Sequence, residues 1–95
     1  QVVFDRPRRT TTPAALARAA TAGRLRVRLD PRSRCLYSGR RFAINGEVLP
    51  TRDFDPLLST LADTRALAAD SLRGASPALR ALLSDWLAAG WLRRE

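Results

Sequence analysis

At Pro50 the apolar repeat of this chain changes from two residues to 3.6, and that change restricts the fold to one that mixes a sheet with helices. Before it, residues 24–29 alternate without a fault, with Arg24, Arg26 and Arg28 against Leu25, Val27 and Leu29. A period of two predicts a strand with one buried and one solvated face. Asp30 and Pro31 turn it, and a second apolar piece, residues 35–37, leads through Ser38 and Gly39 into Phe42, Ala43 and Ile44. Asn45 and Gly46 follow. This pair suits a two-residue type I′ turn, in which both central residues need positive φ. The hairpin it closes sets Ile44 opposite Glu47 and Phe42 opposite Leu49, so that Phe42, Ile44 and Leu49 share a face.

Beyond Pro50, Thr51 or Asp53 can cap a helix in which Phe54, Leu57, Leu58 and Leu61 recur at i, i+3, i+4 and i+7, with Pro56 in its first turn. A break at residues 63–65 leads to Leu67 and a short helix over 68–73, stopped by Gly74. Ser76 caps and Pro77 starts a further helix, with Leu79, Leu82, Leu83 and Trp86 on one side and Gly90 at its end. Residues 91–94 read as a terminal strand. Nearer the start, Val2, Val3 and Phe4 are apolar, residues 6–12 read as an extended linker, and an alanine-rich helix is expected over 13–22, opened by Thr12 and Pro13 and stopped by Gly23. The expected architecture is α+β: a winged-helix-like domain with an Asn-Gly hairpin followed by three helices and a short terminal strand. Residues 1–95 are expected to form one domain.

Composition narrows the chemistry. The chain has no histidine and one cysteine, Cys35. That removes the commonest general base at neutral pH, the imidazole metal ligand, any internal disulfide and any thiolate metal cage. All 17 basic residues are arginine against 9 acids, giving +8, and 16 residues are alanine, a pattern expected of GC-rich codons. With no methionine in the chain, it is expected to be a processed or excised part of a longer one. No stretch has the length of a membrane span or the form of a secretory leader, and one unpaired cysteine suits a reducing compartment, so a cytoplasmic location is expected.

Several segments in order resemble one family. They are Val2-Val3-Phe4-Asp5, Arg28-Leu29-Asp30-Pro31-Arg32, Gly39-Arg40-Arg41-Phe42-Ala43-Ile44-Asn45-Gly46-Glu47, Pro56-Leu57-Leu58 running to Leu61-Ala62-Asp63-Thr64-Arg65-Ala66-Leu67, and Leu82-Leu83 through Trp86, Gly90 and Trp91. Together they resemble the C-terminal winged-helix region of bacterial JmjC/cupin-type ribosomal oxygenases, Fe(II)- and 2-oxoglutarate-dependent hydroxylases that modify an arginine of a large-subunit ribosomal protein. The resemblance implies a non-catalytic accessory domain following a catalytic double-stranded β-helix and a helical dimerisation segment. Fe(II) and 2-oxoglutarate then belong to the parent chain and none to this one. The family's His-x-Asp pair and distant histidine have no counterpart here. Implied partners are the parent's catalytic domain, a ribosomal protein or RNA, and a second copy of the parent.

One surface stands out from the residues alone. Residues 1–52 carry 12 Arg and 3 acids (net +9), whereas residues 53–95 carry 5 Arg and 6 acids (net −1). Arg24, Arg26 and Arg28 on one strand, with Arg40 and Arg41 on the next, form a face that could hold phosphates through charge alone. The plainer reading, a solvated sheet face filled by codon bias, is preferred, because no interleaved aromatic pattern accompanies it. A helix-turn-helix DNA reader is disfavoured, since residues 77–89 offer only Arg80, Ser84 and Asp85 outward. Trp86 and Trp91 are expected to pack, Cys35 to be a small buried thiol, and Asp53, Asp55, Asp63 and Asp70 to be caps and surface charge. Three functions stay in view: the accessory domain of a ribosomal oxygenase, a winged-helix nucleic-acid-binding module using its arginine-rich strand face, and a protein-binding adaptor.

Overall fold

The computed structural model describes residues 12–95; the expectations for residues 2–11 lie outside that span. Helix α1 (Pro13–Thr21) is opened by Thr12, whose Oγ1 accepts from the N–H of Ala15 at 3.1 Å. It ends in a Schellman motif: Arg24 N–H donates to Ala19 O, Gly23 N–H donates to Ala20 O, and Gly23 takes φ +72°. Leu16, Ala19 and Ala20 form its buried side.

Strand β1 (Val27–Leu29) is the centre of a three-stranded antiparallel sheet in the order β5-β1-β6, with β5 at Ala66–Leu67 and β6 at Leu92–Arg94. Only residues 27–29 of the expected 24–29 strand are laddered, although the alternation continues back to Leu25, which is fully buried. A second antiparallel sheet holds β2 (Cys35–Ser38), β3 (Arg41–Ile44) and β4 (Glu47–Val48) in that order. Its two hairpins turn on Gly39-Arg40, with Gly39 at φ +59°, and on Asn45-Gly46, at φ +48° and +86°. The second turn has the positive φ pair that its sequence demands. Ile44 pairs with Glu47, and Leu49 N–H donates to Phe42 O, as the hairpin pattern requires.

The second half departs from expectation in two places. A single turn of 3-10 helix at Thr51–Asp53 precedes helix α2 (Pro56–Thr64), and the cap is Asp55, whose carboxylate accepts from Leu57 N–H at 2.9 Å. Neither Thr51 nor Asp53 caps it, because Pro56 is the first helical residue and the cap must directly precede it. Phe54 lies ahead of the helix, half-buried against the core. The break after α2 contains β5, too short to announce itself by alternation. Helix α3 (Ala69–Arg73) and helix α4 (Pro77–Ala88) follow, the latter capped by Ser76 and closed by a second Schellman motif on Gly90 at φ +81°.

One apolar cluster joins these parts. Helix α1 packs on α3 and α4, and α2 packs on β2 and β5. Phe42 of the hairpin sheet stacks on Trp86 of α4, ring centres 5.9 Å apart, with Leu58, Leu61, Leu79 and Leu83 buried in the same cluster. Among the described residues, no helix is long and apolar enough to cross a membrane.

Candidate functional site

The arginines singled out from sequence do not form one face. β1 is flanked by β5 and β6, and of the first trio only Arg28 lies in it: Arg24 closes α1, Arg26 sits just ahead of the strand, and Arg40 and Arg41 lie at the first hairpin turn of the other sheet. The expectation that they occupy neighbouring strands is corrected by the turn at residues 30–34, which redirects the chain before β2. Within the first sheet, Arg28 stands directly opposite Arg93, a like-charge pair that would be unfavourable alone. Both charges are answered: Arg28 Nε lies 2.6 Å from Glu95 Oε1, and Arg93 Nη2 lies 2.7 Å from Asp30 Oδ2. Glu95 N–H also donates to Arg26 O, extending the ladder past β1. The strand face is therefore a mixed-charge surface rather than a row of bare cations.

Asp30 is the residue that sequence reasoning undervalued. It is 1% exposed, and its carboxylate accepts from Arg32 N–H at 2.9 Å, from Arg32 Nε at 2.9 Å and Nη2 at 3.2 Å, and from Arg93 Nε at 3.1 Å and Nη2. The Arg32 side-chain bonds most of all, helped by the Arg32 N–H and Arg93 and opposed by burial, hold its carboxyl well below the usual carboxylate range. Asp30 N–H donates to Trp91 O, and its own carbonyl accepts from Arg65 Nη2 at 3.0 Å. Arg65 reaches Ser33 O as well, at 2.9 Å. Ser33, also 1% exposed, donates its hydroxyl to Trp91 O at 2.8 Å and accepts from Asn45 Nδ2 at 3.3 Å. Asn45 Oδ1 then accepts from Arg34 N–H at 2.8 Å. This chain of bonds ties the end of β1, the Asn-Gly turn, the end of α2 and β6 into one knot. Its sequence signal is faint: an aspartate two residues before an arginine, which suits an Asx turn, and nothing at all for Arg65.

The remaining candidates divide. Trp86 is buried and Trp91 half-buried, both packed as expected. Cys35 is half-buried on β2, and burial pushes its thiol up to about 11, with Arg65 pulling weakly the other way. Asp55 caps a helix, but Asp63 lies inside α2 rather than before a helix, and it accepts from the Tyr37 hydroxyl at 3.0 and 3.2 Å. That bond and the charge of Asp63 raise the tyrosine's pKa. Asp53 is 3.9 Å from Arg52. The outer side of α4 offers few base-reading groups, with Ala78, Ala81 and Ala88 exposed beside Asp85 and with Arg80 and Ser84 half-buried. No group of three or more metal-ligating side chains is arranged around a common point among the described residues. With no imidazole in the chain, its donors do not fit an Fe(II) and 2-oxoglutarate centre.

Comparison with solved structures gives the fold a setting. The chain superposes on the Escherichia coli ribosomal oxygenase YcfD with a TM-score of 0.79 at 24% identity, covering 100% of this chain and 26% of that one. YcfD in complex with cobalt and 2-oxoglutarate matches at 0.77 and 23%, over the same shares of the two chains. The complex with cobalt and succinic acid matches at 0.79 and 24%, again spanning 26% of the longer chain. These likenesses establish the fold, and the chain spans about a quarter of the length of each relative. No curated protein sequence matches it. The ROXA-like winged helix model matches residues 2–93, nearly the whole length, and the chain belongs to the ROXA-like winged helix family.

Proposed function

We propose that residues 1–95 are the non-catalytic accessory domain, C-terminal in its parent chain, of a JmjC/cupin-type Fe(II)- and 2-oxoglutarate-dependent ribosomal-protein hydroxylase in the cytoplasm. It acts beside the parent's catalytic domain, shaping substrate access or assembly of the parent into a homodimer. The carrying observation is the family match over residues 2–93, which takes up the chain with a winged helix. The histidine-free sequence supports the same division of labour, because the iron and the co-substrate then need ligands from elsewhere in the parent. A polyanion surface facing ribosomal RNA, drawn from Arg24, Arg26 and Arg28 beside the first sheet and apart from Arg40 and Arg41 at the hairpin turn, is the second reading. The Arg28–Glu95 and Arg93–Asp30 pairs count against it as a strong site.

The test is hydroxylation of the ribosomal-protein arginine by the longer enzyme with and without this domain, read as gain of one oxygen by mass spectrometry alongside the enzyme's oligomeric state. The isolated chain should consume no 2-oxoglutarate, and deleting the domain should lower hydroxylation of the protein substrate or disturb assembly. Turnover by the isolated chain, or a deletion that leaves hydroxylation and assembly both unchanged, refutes the proposal.

A further inference from the structure

The outer face of the hairpin sheet has an organisation that an accessory role by itself does not require. Leu36 stands opposite Ala43, and Ala43 opposite Val48, so these three side chains form one row across β2, β3 and β4. The row lies on the side turned away from the buried Phe42 and Ile44. Leu36 is 74% exposed and Val48 71%, whereas Ala43 between them is half-buried. Strands sit about 4.8 Å apart, which sets the two larger side chains roughly 10 Å from each other with only a methyl group between them. That spacing leaves room over Ala43, the notch, for one apolar side chain. Single exposed apolar residues are ordinary on a monomer; here two of them stand in register on either side of an alanine.

Charge around the notch has one sign. Arg41, two residues from Ala43, stands on the same face, about 6 to 7 Å along the strand. Arg34 is two residues ahead of Leu36, and Asn45 N–H donates to its carbonyl at 2.9 Å, carrying the ladder back to it. Both arginines are exposed, and neither forms an ion pair among the described residues. Glu47, the acid of this sheet, pairs with Ile44 and so shares the opposite face. A nucleic acid would engage the guanidiniums but gain little from an aliphatic centre that offers no ring to stack on. A basic polypeptide would be repelled. An apolar centre with a cationic rim is matched by a protein surface that is apolar at its middle and anionic around it.

We propose that the outer face of β2–β4 docks an acidic protein segment, which seats one bulky apolar side chain over Ala43 between Leu36 and Val48 and sets carboxylates against Arg34 and Arg41. This inference is independent of the identity of the parent enzyme. It can be tested on the 95-residue chain by following backbone amide resonances during titration with three probes. These are a short Glu-rich peptide with a single central Leu, its Lys-rich counterpart, and a single-stranded RNA of similar length. The Glu-rich peptide should shift Leu36, Ala43 and Val48 saturably in the millimolar range, with affinity lowered about tenfold or more by Val48→Ser or Arg41→Ser. Unchanged Val27 and Leu67 amides in these surface variants would show the fold intact. An equal response to the Lys-rich peptide, displacement of the same resonances by RNA, shifts that follow chain concentration without any probe, or no shift at millimolar peptide would each overturn it.

Discussion

Asp30 shows how one buried charge can set the acid limit of a small domain. The carboxylate is fully enclosed while its partners are not, since the Arg32 and Arg93 side chains are 38% and 59% exposed. Replacing it by asparagine leaves two arginines that can rehydrate, yet removes the charge and turns one of the two accepting oxygens into a donor amide facing a guanidinium. The expected loss for Asp30→Asn is about 2 to 4 kcal/mol, by chemical denaturation at neutral pH. Its folded pKa is depressed, so the contribution is fully present above the unfolded value of roughly 3.9 and fades as pH falls below it. The gap between wild type and variant should therefore close on acidification; a gap that is constant down to strongly acid pH would mean that packing, and not charge, holds this site. Cys35 gives a complementary reading. With its thiol pushed up to about 11, it should react with iodoacetamide at neutral pH at least about tenfold more slowly than an unfolded cysteine. Equal rates would show that β2 opens freely.

The elements were legible where a local rule governs them. Thr12, Ser76, Gly23, Gly90 and the Asn45-Gly46 turn each announce a boundary through a backbone requirement, and each stands where it was read. What escaped was set by tertiary pairing. β5 exists because Val27 pairs with Leu67, a partnership of which two residues hold no periodic trace, and the placement of Arg40 and Arg41 in a separate sheet depends on which strands flank β1. The Arg65 backbone is a related case: it adopts φ +62°, where glycine is usual, and its guanidinium explains the choice by bonding Asp30 O and Ser33 O. The two Schellman glycines can be tested by experiment. Gly90→Ala and Gly23→Ala should each cost about 1 to 2 kcal/mol in thermal or denaturant unfolding from positive φ alone. At Gly23 the added Cβ would also meet the Arg73 guanidinium, which as the far end of a flexible side chain can swing aside. A cost near zero for either variant would show that its turn gives up the left-handed conformation.

Over the described residues the molecule is two small sheets held to four helices through a shared apolar cluster, and its electrostatics follow from that division. The first sheet answers Arg28 with Glu95 and Arg93 with Asp30, so nucleic-acid binding by Arg24, Arg26 and Arg28 should be weak and lost steeply between about 50 and 200 mM salt. A fluorescence titration with unrelated RNA and DNA oligonucleotides should show no sequence preference, and the triple alanine variant should bind less at the lower salt. Sequence-selective binding that survives the higher salt would revive the nucleic-acid module as a function in its own right.

Among the described residues the two sheets share no strand pairing, and this has a bearing on how the molecule breathes. The hairpin sheet is anchored through Phe42 on Trp86, Asn45 on Ser33 and Tyr37 on Asp63, with its far side turned to water. It can lift away at the cost of those anchors, the burial of Ile44 and the packing of α2 on β2, while β1, walled in by β5 and β6, yields only when the helices part. Amide protons of β2–β4 should accordingly exchange through a shallower opening than those of Val27 and Leu29, giving one short chain two tiers of protection.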